Sequence, residues 1–246
     1  MSSEDVAAGA TTRTLGIMGG MGPETTAEFY IGVLRRCRAL YPTAYPRIII
    51  DSVPIPYAAE EDLVLRGCNI EAYKPLVVES VTALERAGAE LIALPCNTLH
   101  EYHKLLQEQV NVPVLDILDA TARECLAAGY RRVAVVGTPR TIRTRLYEPA
   151  LAKAGLDSIP LLPAEVSETG EIIFDLLSGR ESAEHRSRIL ALMDSLSARG
   201  AEAVILGCTD LQLVVRPSDS DLPLPAVDSV EALVDLTAQA MARSPE

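Results

Sequence analysis

A pattern that occurs twice along the chain is the feature that most constrains its fold. Three short motifs reappear after a constant interval of 112 residues: Gly88–Glu90 and Gly200–Glu202, Pro95–Thr98 and Gly207–Asp210, and Val112–Asp116 and Leu224–Asp228. A constant interval across three motifs is typical of a duplicated structural unit. The middle motif carries one cysteine in each copy, Cys96 and Cys208. The sequence therefore predicts two similar units that each present a thiol at the same place.

Short apolar runs alternate with longer amphipathic stretches along the chain. Strands are predicted over 13–18, 47–53, 90–94, 112–115, 132–136, 159–162, 202–206 and 225–227, and helices over 24–40, 70–87, 98–109, 140–154, 168–178, 181–199 and 229–243. Strands rich in Val, Ile and Leu that are joined by helical crossovers are typical of parallel sheets covered by helices. We predict an α/β protein with two similar three-layer domains. Each has a mainly parallel four-stranded sheet, a pseudo-twofold axis relates them, and the active site lies in the cleft between them.

The predicted domain boundaries follow from the same duplication. The last strand and helix are expected to pack back on the first unit, which makes the first domain discontinuous: residues 13–116 plus 227–246. The second domain is predicted to span residues 117–226. Residues 1–12 have acidic side chains and no apolar segment, so we expect a disordered lead-in rather than a secretory signal.

Composition excludes several classes of function. The net charge of −12, without clusters of Lys and Arg, argues against a nucleic-acid partner. No apolar run approaches the roughly 18 residues of a membrane-spanning helix, which argues against a membrane partner. Five cysteines is an odd number, which makes a disulfide framework unexpected. We expect a cytoplasmic protein with reduced thiols.

Small and polar residues follow four of the predicted strands. These residues are Gly20, Met21 and Gly22; Cys96, Asn97 and Thr98; Gly137 and Thr138; and Cys208 and Thr209. In parallel α/β sheets, ligands bind beyond the carboxyl ends of the strands. Backbone N–H groups and hydroxyls at such positions hold anions. We predict that the four loops close over one small acid.

The glycine-rich segment Gly19–Glu24 has three interpretations. A dinucleotide-binding turn requires Gly-x-Gly-x-x-Gly, but the sixth position from Gly20 is Thr25, and Pro23 is placed to begin a helix. The other two interpretations are an anion-binding turn and a tight strand-to-helix turn without a ligand.

The repeated cysteines have a structural alternative, because free cysteine is among the residue types most often buried. Against it, both lie in polar loops before a predicted helix start, where the helix dipole favours thiolate. Zinc has less support, because the chain has no Cys-x-x-Cys and no paired histidines, so we expect no metal.

Two further polar residues lie close to the cysteines in sequence. His100 follows Cys96 by four residues, so it is either a group beside the thiol or a plain exposed residue. Asp210 follows Cys208 by two residues, so it either orients the thiol or supplies charge at a helix N-terminus.

Two thiols on opposite walls of one cleft are able to invert a carbon centre. One removes a proton as thiolate, and the other returns a proton from the opposite face. The ordinary thiol pKa, about 8.5, keeps both forms accessible. No lysine lies in a context typical of pyridoxal phosphate, so we expect no cofactor and a carbanion stabilised by hydrogen bonds to the substrate carboxylate.

Three motifs, Leu15–Pro23, Ala93–His100 and Ile205–Asp210, resemble the aspartate/glutamate racemase superfamily, closest to its aspartate racemase branch. The resemblance spans about residues 13 to 243. It implies cofactor-independent proton transfer by catalytic Cys96 and Cys208, an amino acid or related small carboxylic acid as substrate, and a homodimer. The residues that it implies for substrate binding are Gly20, Met21, Asn97, Thr98, Thr138 and Thr209, with His100 and Asp210 in support of the cysteines.

The chain departs from the aspartate racemase pattern at two cations. That branch carries an arginine in a Pro-x-Ile-Pro-Asp-Arg-Thr segment, where this chain reads Val53–Ala59, and a lysine where Ser178 stands here. A buried carboxylate without a cation is costly, so a dicarboxylic substrate requires another arginine, for which the choices are Arg66, Arg140 and Arg143. Residues expected to make the pocket more apolar are Tyr57, Ala58 and Phe174.

Three functions remain open at this stage. The first is a racemase or epimerase of an amino acid whose side chain is neutral or bulkier than that of aspartate. The second is a decarboxylase or cis-trans isomerase of a small carboxylic acid, and the third is a ligand-binding protein without catalysis. The presence of both cysteines favours the first.

Overall fold

The structure, a computed structural model, describes residues 12–42 and 44–242. The strands are β1 (Leu15–Gly19), β2 (Ile48–Ser52), β3 (Leu91–Ala93), β4 (Arg132–Gly137), β5 (Asp157–Ser158), β6 (Ala203–Gly207) and β7 (Ala226–Asp228). The helices are α1 (Pro23–Leu40), α2 (Tyr57–Glu61), α3 (Lys74–Arg86), α4 (His103–Gln109), α5 (Ile117–Ala127), α6 (Pro139–Arg143), α7 (Glu148–Ala154), α8 (Pro163–Leu177), α9 (Ala183–Ala198) and α10 (Ser229–Ala240). A π-helical turn spans Asp62–Arg66, and 3₁₀ turns span Ile70–Ala72, Thr98–Tyr102 and Thr209–Leu213.

The strands form two parallel sheets with the same connectivity. Their orders are β2-β1-β3 and β5-β4-β6-β7. Beyond β3, Ile92 forms a single parallel bridge with Val114, and in the second sheet Val204 pairs with Ala226. Both members of these pairs differ by 112 residues, so the bridge at Val114 is the counterpart of β7. The predicted duplication and α/β class are confirmed, with the fourth strand of the first sheet reduced to one bridge.

One apolar core joins the two sheets. Leu15 and Ile17 of β1 and Val133 and Val135 of β4 belong to a single cluster of buried side chains, to which α1, α5 and α10 also contribute. Successive side chains of a strand point to opposite faces, so Met18 instead packs in a second cluster with α3. The central strands are thus covered on both faces, as their continuous apolar sequence predicts.

The last helix of each unit crosses to the other unit. α5 packs against α7 and α10, and α10 packs against α1. Both begin at an aspartate, Asp116 and Asp228, whose side chain accepts hydrogen bonds from the N–H groups two and three residues later. The domain division stays a proposal. Because β7 lies in the second sheet, we move its second boundary to follow Asp228.

Several predicted boundaries differ from the structure. The strand predicted over 159–162 is wrong: β5 ends at Ser158, and Pro160 and Pro163 have no N–H to extend a ladder. The helix predicted over 140–154 is divided into α6 and α7, with Arg145 in the left-handed region at φ 54° between them. Neither α5 nor α2 was predicted.

The chain termini contribute one observation. The predicted lead-in lies outside the described residues except for Thr12, which forms an isolated antiparallel bridge with Ala242. Across the described ranges, every helix is too short or too polar to cross a bilayer.

Candidate active site

The loops at the carboxyl ends of β1, β3, β4 and β6 meet around one cavity of about 50 Å³. It is lined by Met21, Gly22, Ile55, Glu60, Leu63, Val64, Tyr73, Cys96, Asn97, Thr98, Leu99, Thr138, Leu177, Gly207, Cys208, Thr209 and Asp210. Both repeated cysteines are therefore brought together, along with most of the residues predicted to bind substrate. Gly20 and His100 are not among the lining residues.

Cys96 follows β3 and is half-buried at the cavity wall. Burial raises the pKa of its thiol to about 11, against the opposing effect of hydrogen bonds from the backbone N–H groups of Leu99 and Thr98. The negative charges of Asp210 and Glu60 raise this pKa further. Cys96 is therefore a thiol in the empty cavity at neutral pH, but it has amide donors in place to stabilise a thiolate.

Cys208 follows β6 and is 8% exposed. Its Sγ donates a hydrogen bond to Oδ2 of Asp210 at 3.5 Å. Burial is the largest cause that raises the pKa of the Cys208 thiol, and the charges of Asp210 and Cys96 act in the same direction. Burial also raises the pKa of Asp210 itself. Asp210 thus contacts the thiol directly, and its carboxylate is able to accept the thiol proton.

Three helical segments begin at the cavity without a side-chain cap. α1 begins after Gly22, and the 3₁₀ turns begin after Asn97 and after Cys208. Uncapped N–H groups at helix starts are donors that favour an anion. The geometry therefore supports the anion-binding interpretation of the glycine-rich segment over that of a turn without a ligand.

Hydroxyl groups line the same region. The Oγ1 atom of Thr98 lies 2.9 Å from that of Thr138 and 3.1 Å from that of Thr141, and the last two are 3.1 Å apart. The three buried hydroxyls form a closed triangle, which holds the loops after β3 and β4 together.

Two predicted binding residues have structural contacts of their own. The Nδ2 atom of Asn97 donates to Ser229 at 2.9 Å, and its Oδ1 accepts from the hydroxyl of Tyr147. Gly20, at φ 91°, packs so closely on Val53 that a Cβ would lie 2.3 Å from the Val53 carbonyl oxygen. Substrate binding by Asn97 stays a prediction, whereas Gly20 serves close backbone packing.

His100 is buried rather than exposed, and it binds backbone groups. Its Nδ1 lies 2.8 Å from the carbonyl oxygen of Cys96, and its Nε2 accepts the N–H of Ile117 at 3.1 Å. Burial lowers the pKa of His100, so the ring is neutral with the proton on Nδ1. His100 thus fixes the backbone of Cys96 to the start of α5, and none of its contacts is with the sulfur.

The side chains at the cavity are acidic, not basic. Glu60 and Asp210 line it, and the lining residues include no Lys or Arg. The three arginines considered from sequence bind elsewhere: Arg66 to Asp62 and Glu61, Arg140 to Glu101 at 2.6 Å, and Arg143 to the Arg66 carbonyl at 3.0 Å. The resemblance-based doubt about a dicarboxylic substrate is therefore reinforced.

The expected apolar wall is formed by other residues. Tyr57 is 89% exposed, and neither Ala58 nor Phe174 lines the cavity, so that prediction is wrong. Ser178 ends α8 by donating to the carbonyl oxygen of Phe174 at 2.7 Å. The apolar lining instead includes Leu177 at the end of α8 and Ile55 before α2.

Sequence reasoning missed the segment from α2 into the π-helical turn. Glu60, Leu63 and Val64 line the cavity, and their spacing of i, i+3 and i+4 places them on one helical face. That spacing is the signal by which the segment is recognisable in the sequence. Elsewhere in the described chain, no group of three His, Cys, Asp or Glu side chains is arranged to hold a metal ion.

The raised pKa of Cys96 predicts a pH dependence. Because the folded-state pKa is about 11, the thiolate fraction, and with it the rate of alkylation of Cys96 by iodoacetamide, should rise about tenfold per pH unit between pH 7 and 9. Peptide mapping by mass spectrometry measures this rate at Cys96 alone. The Asp210→Asn variant should move the profile to lower pH, and a plateau near pH 8 in the wild type would contradict the prediction.

Comparisons with known proteins agree with this geometry. The family model described as Asp/Glu/Hydantoin racemase matches residues 18–237. The broad specificity amino-acid racemase RacX of Bacillus subtilis is 29% identical over 230 residues, which cover 91% of this chain and 96% of the relative.

Solved structures are similar over nearly the whole chain. The structure of an aspartate racemase homologue from Pyrococcus horikoshii has 32% identity and a TM-score of 0.73, and covers 92% of this chain and 98% of its own. Picrophilus torridus aspartate racemase has 21% identity, a TM-score of 0.72, and coverage of 95% and 96%, a likeness that shows the fold alone.

Proposed function

The chain belongs to the Asp/Glu/Hydantoin racemase family, and from that premise we propose that it is a cofactor-independent amino-acid racemase with Cys96 and Cys208 as acid and base at Cα. The observation that carries the proposal is that the two thiols, placed by equivalent loops of two duplicated units, line one small cavity. Equivalent loops on either side of one substrate suit two groups that approach opposite faces of the same carbon.

The substrate α-carboxylate binds at the uncapped helix starts around Gly22, Thr98 and Thr209. Backbone N–H groups and threonine hydroxyls there stabilise the charge that develops as the Cα–H bond breaks. The carboxylate of Asp210, which accepts a hydrogen bond from Cys208, lies beside the position where the α-ammonium group binds.

Proton transfer starts from Cys208 in one direction. Its Sγ–H proton passes to Oδ2 of Asp210, and the resulting thiolate removes the Cα proton, while the Sγ–H of Cys96 donates its proton to the opposite face. The product is the other enantiomer, with Cys208 protonated, Cys96 as thiolate and Asp210 as carboxylic acid. Transfer of one proton from Asp210 to Cys96 restores the starting state, and the reverse reaction begins with Cys96 as the base.

A screen in D₂O tests the reaction and the substrate together. The purified protein is incubated with each enantiomer of the proteinogenic amino acids, and Cα deuteration is followed by mass spectrometry beside chiral chromatography. We expect deuterium in the inverted product of at least one amino acid. Absence of exchange with every amino acid would reject the racemase proposal.

We also propose that the protein acts in the cytoplasm as a homodimer. The family resemblance supports the dimer, and so do two exposed apolar side chains on one unit, Ile50 at 43% and Tyr57 at 89% exposure. Light scattering after size-exclusion chromatography should give twice the chain mass, and the mass of a single chain would reject the dimer.

A further inference from the structure

Resting on the proposed function, we propose that Glu60 selects amino acids with a basic side chain, such as lysine or ornithine. The proposal comes from the position of Glu60 in the cavity wall and from the sign of the charges around it. It assigns a side-chain subsite made of Glu60, Ile55, Leu63 and Val64.

The position of Glu60 sets it apart from its acidic neighbours in sequence. In the run Glu60-Glu61-Asp62, the second and third residues pair with Arg66 on the outer side of the helix. Glu60 shares the cavity face with Leu63 and Val64. In the described part of the chain, its carboxylate has no hydrogen bond or ion pair, so it is free to bind a ligand cation.

The two carboxylates of the cavity have different neighbours. Asp210 contacts the reacting Cys208 and also accepts a hydrogen bond from Thr209 at 3.4 Å, which places it at the Cα end of the substrate. Glu60 belongs to the first unit and follows Ile55 along the apolar wall. An amino acid has only one α-ammonium group, so a second cation is required to balance Glu60.

The apolar lining next to Glu60 suits a methylene chain. Ile55, Leu63 and Val64 are able to cover the stem of a lysine or ornithine side chain while its ammonium group reaches the carboxylate. An aspartate or glutamate substrate would place its carboxylate against Glu60 without a compensating cation, since no Lys or Arg lines the cavity.

A basic substrate also assists the chemistry. The charges of Asp210 and Glu60 both raise the pKa of Cys96, and the charge of Asp210 contributes to the raised pKa of Glu60. A cation bound at Glu60 offsets one of these charges and favours the Cys96 thiolate.

The test compares lysine and ornithine with norleucine and norvaline, which keep the chain and lack the terminal ammonium group. For the wild type we expect kcat/KM for the basic amino acids to exceed that for the neutral ones by about 100-fold. Glu60→Gln should lower kcat/KM for lysine by 10-fold to 100-fold, mainly through KM, and leave norleucine within about threefold. Glu61→Gln, which changes the neighbouring carboxylate outside the cavity, is the matched control and should change neither.

Three results would overturn the assignment of Glu60. They are a wild type that accepts norleucine as well as lysine, a wild type that prefers aspartate, and a Glu60→Gln variant that loses both substrates equally. Thermal shift with lysine separates this proposal from the racemase proposal. If no amino acid exchanges its Cα proton, but lysine still raises Tm and Glu60→Gln removes that shift, the racemase proposal fails and the basic subsite stands.

Discussion

Replacement of either Cys96 or Cys208 with serine should lower the rate of inversion by about 10³-fold or more, because a serine hydroxyl is far less acidic than a thiol and one proton-transfer group is lost. Each variant should keep slow Cα exchange with one enantiomer only. The remaining cysteine still removes and returns a proton on its own face, without inversion. The retained enantiomer should differ between Cys96→Ser and Cys208→Ser.

This pattern separates a two-base racemase from the alternative reactions. Chiral chromatography reports inversion, and deuterium incorporation reports exchange, in the same sample. Cys68→Ser is the control, because Cys68 is exposed and does not line the cavity, and it should behave like the wild type. Loss of activity in only one of the two cavity variants would point to one-cysteine chemistry, such as decarboxylation or cis-trans isomerisation.

The duplication is why much of the fold was predictable from one sequence. The interval of 112 residues that relates Cys96 to Cys208 also relates the bridge of Ile92 with Val114 to the pair of Val204 with Ala226. It extends to α5, which was not predicted although the predicted helix over 229–243, moved back by 112 residues, covers it. Asp116 caps α5 as Asp228 caps α10, so the missing signal was present in the repeat.

The candidate site was less predictable where it depends on segments outside the repeat. The loops after the strands were found because parallel sheets gather their carboxyl ends at one edge. Glu60 reaches the cavity from a helix and a π-helical turn that have no counterpart in the repeated motifs, and π-helical turns are common at functional sites. His100 shows the opposite limit, because its spacing from Cys96 is right for a contact but its ring nitrogens bind backbone groups instead.

Gly20→Ala should destabilise the protein by about 3 kcal/mol, the sum of a left-handed backbone penalty of about 1–2 kcal/mol and a steric term of about 1–3 kcal/mol. The residue lies at φ 91°, and a Cβ would approach the oxygen and nitrogen of Val53 to 2.3 and 2.6 Å. Both contacts are with backbone that is itself fixed, because the Val53 N–H donates to the Gly19 carbonyl oxygen at 3.1 Å. Equilibrium urea unfolding measures the loss.

Gly155→Ala is the matched control for this substitution. Gly155 also has a positive φ, 71°, but nothing lies within 4 Å of its Cβ position, so only the backbone penalty of about 1–2 kcal/mol applies. Equal losses in the two variants would show that the approach to Val53 is not a constraint. A raised KM in Gly20→Ala at unchanged stability would instead restore Gly20 to the substrate-binding role implied by the resemblance. Because Val53 leads into Ile55 and Gly20 leads into Met21, a clash at this point should also displace two walls of the cavity, and we expect activity to fall together with stability.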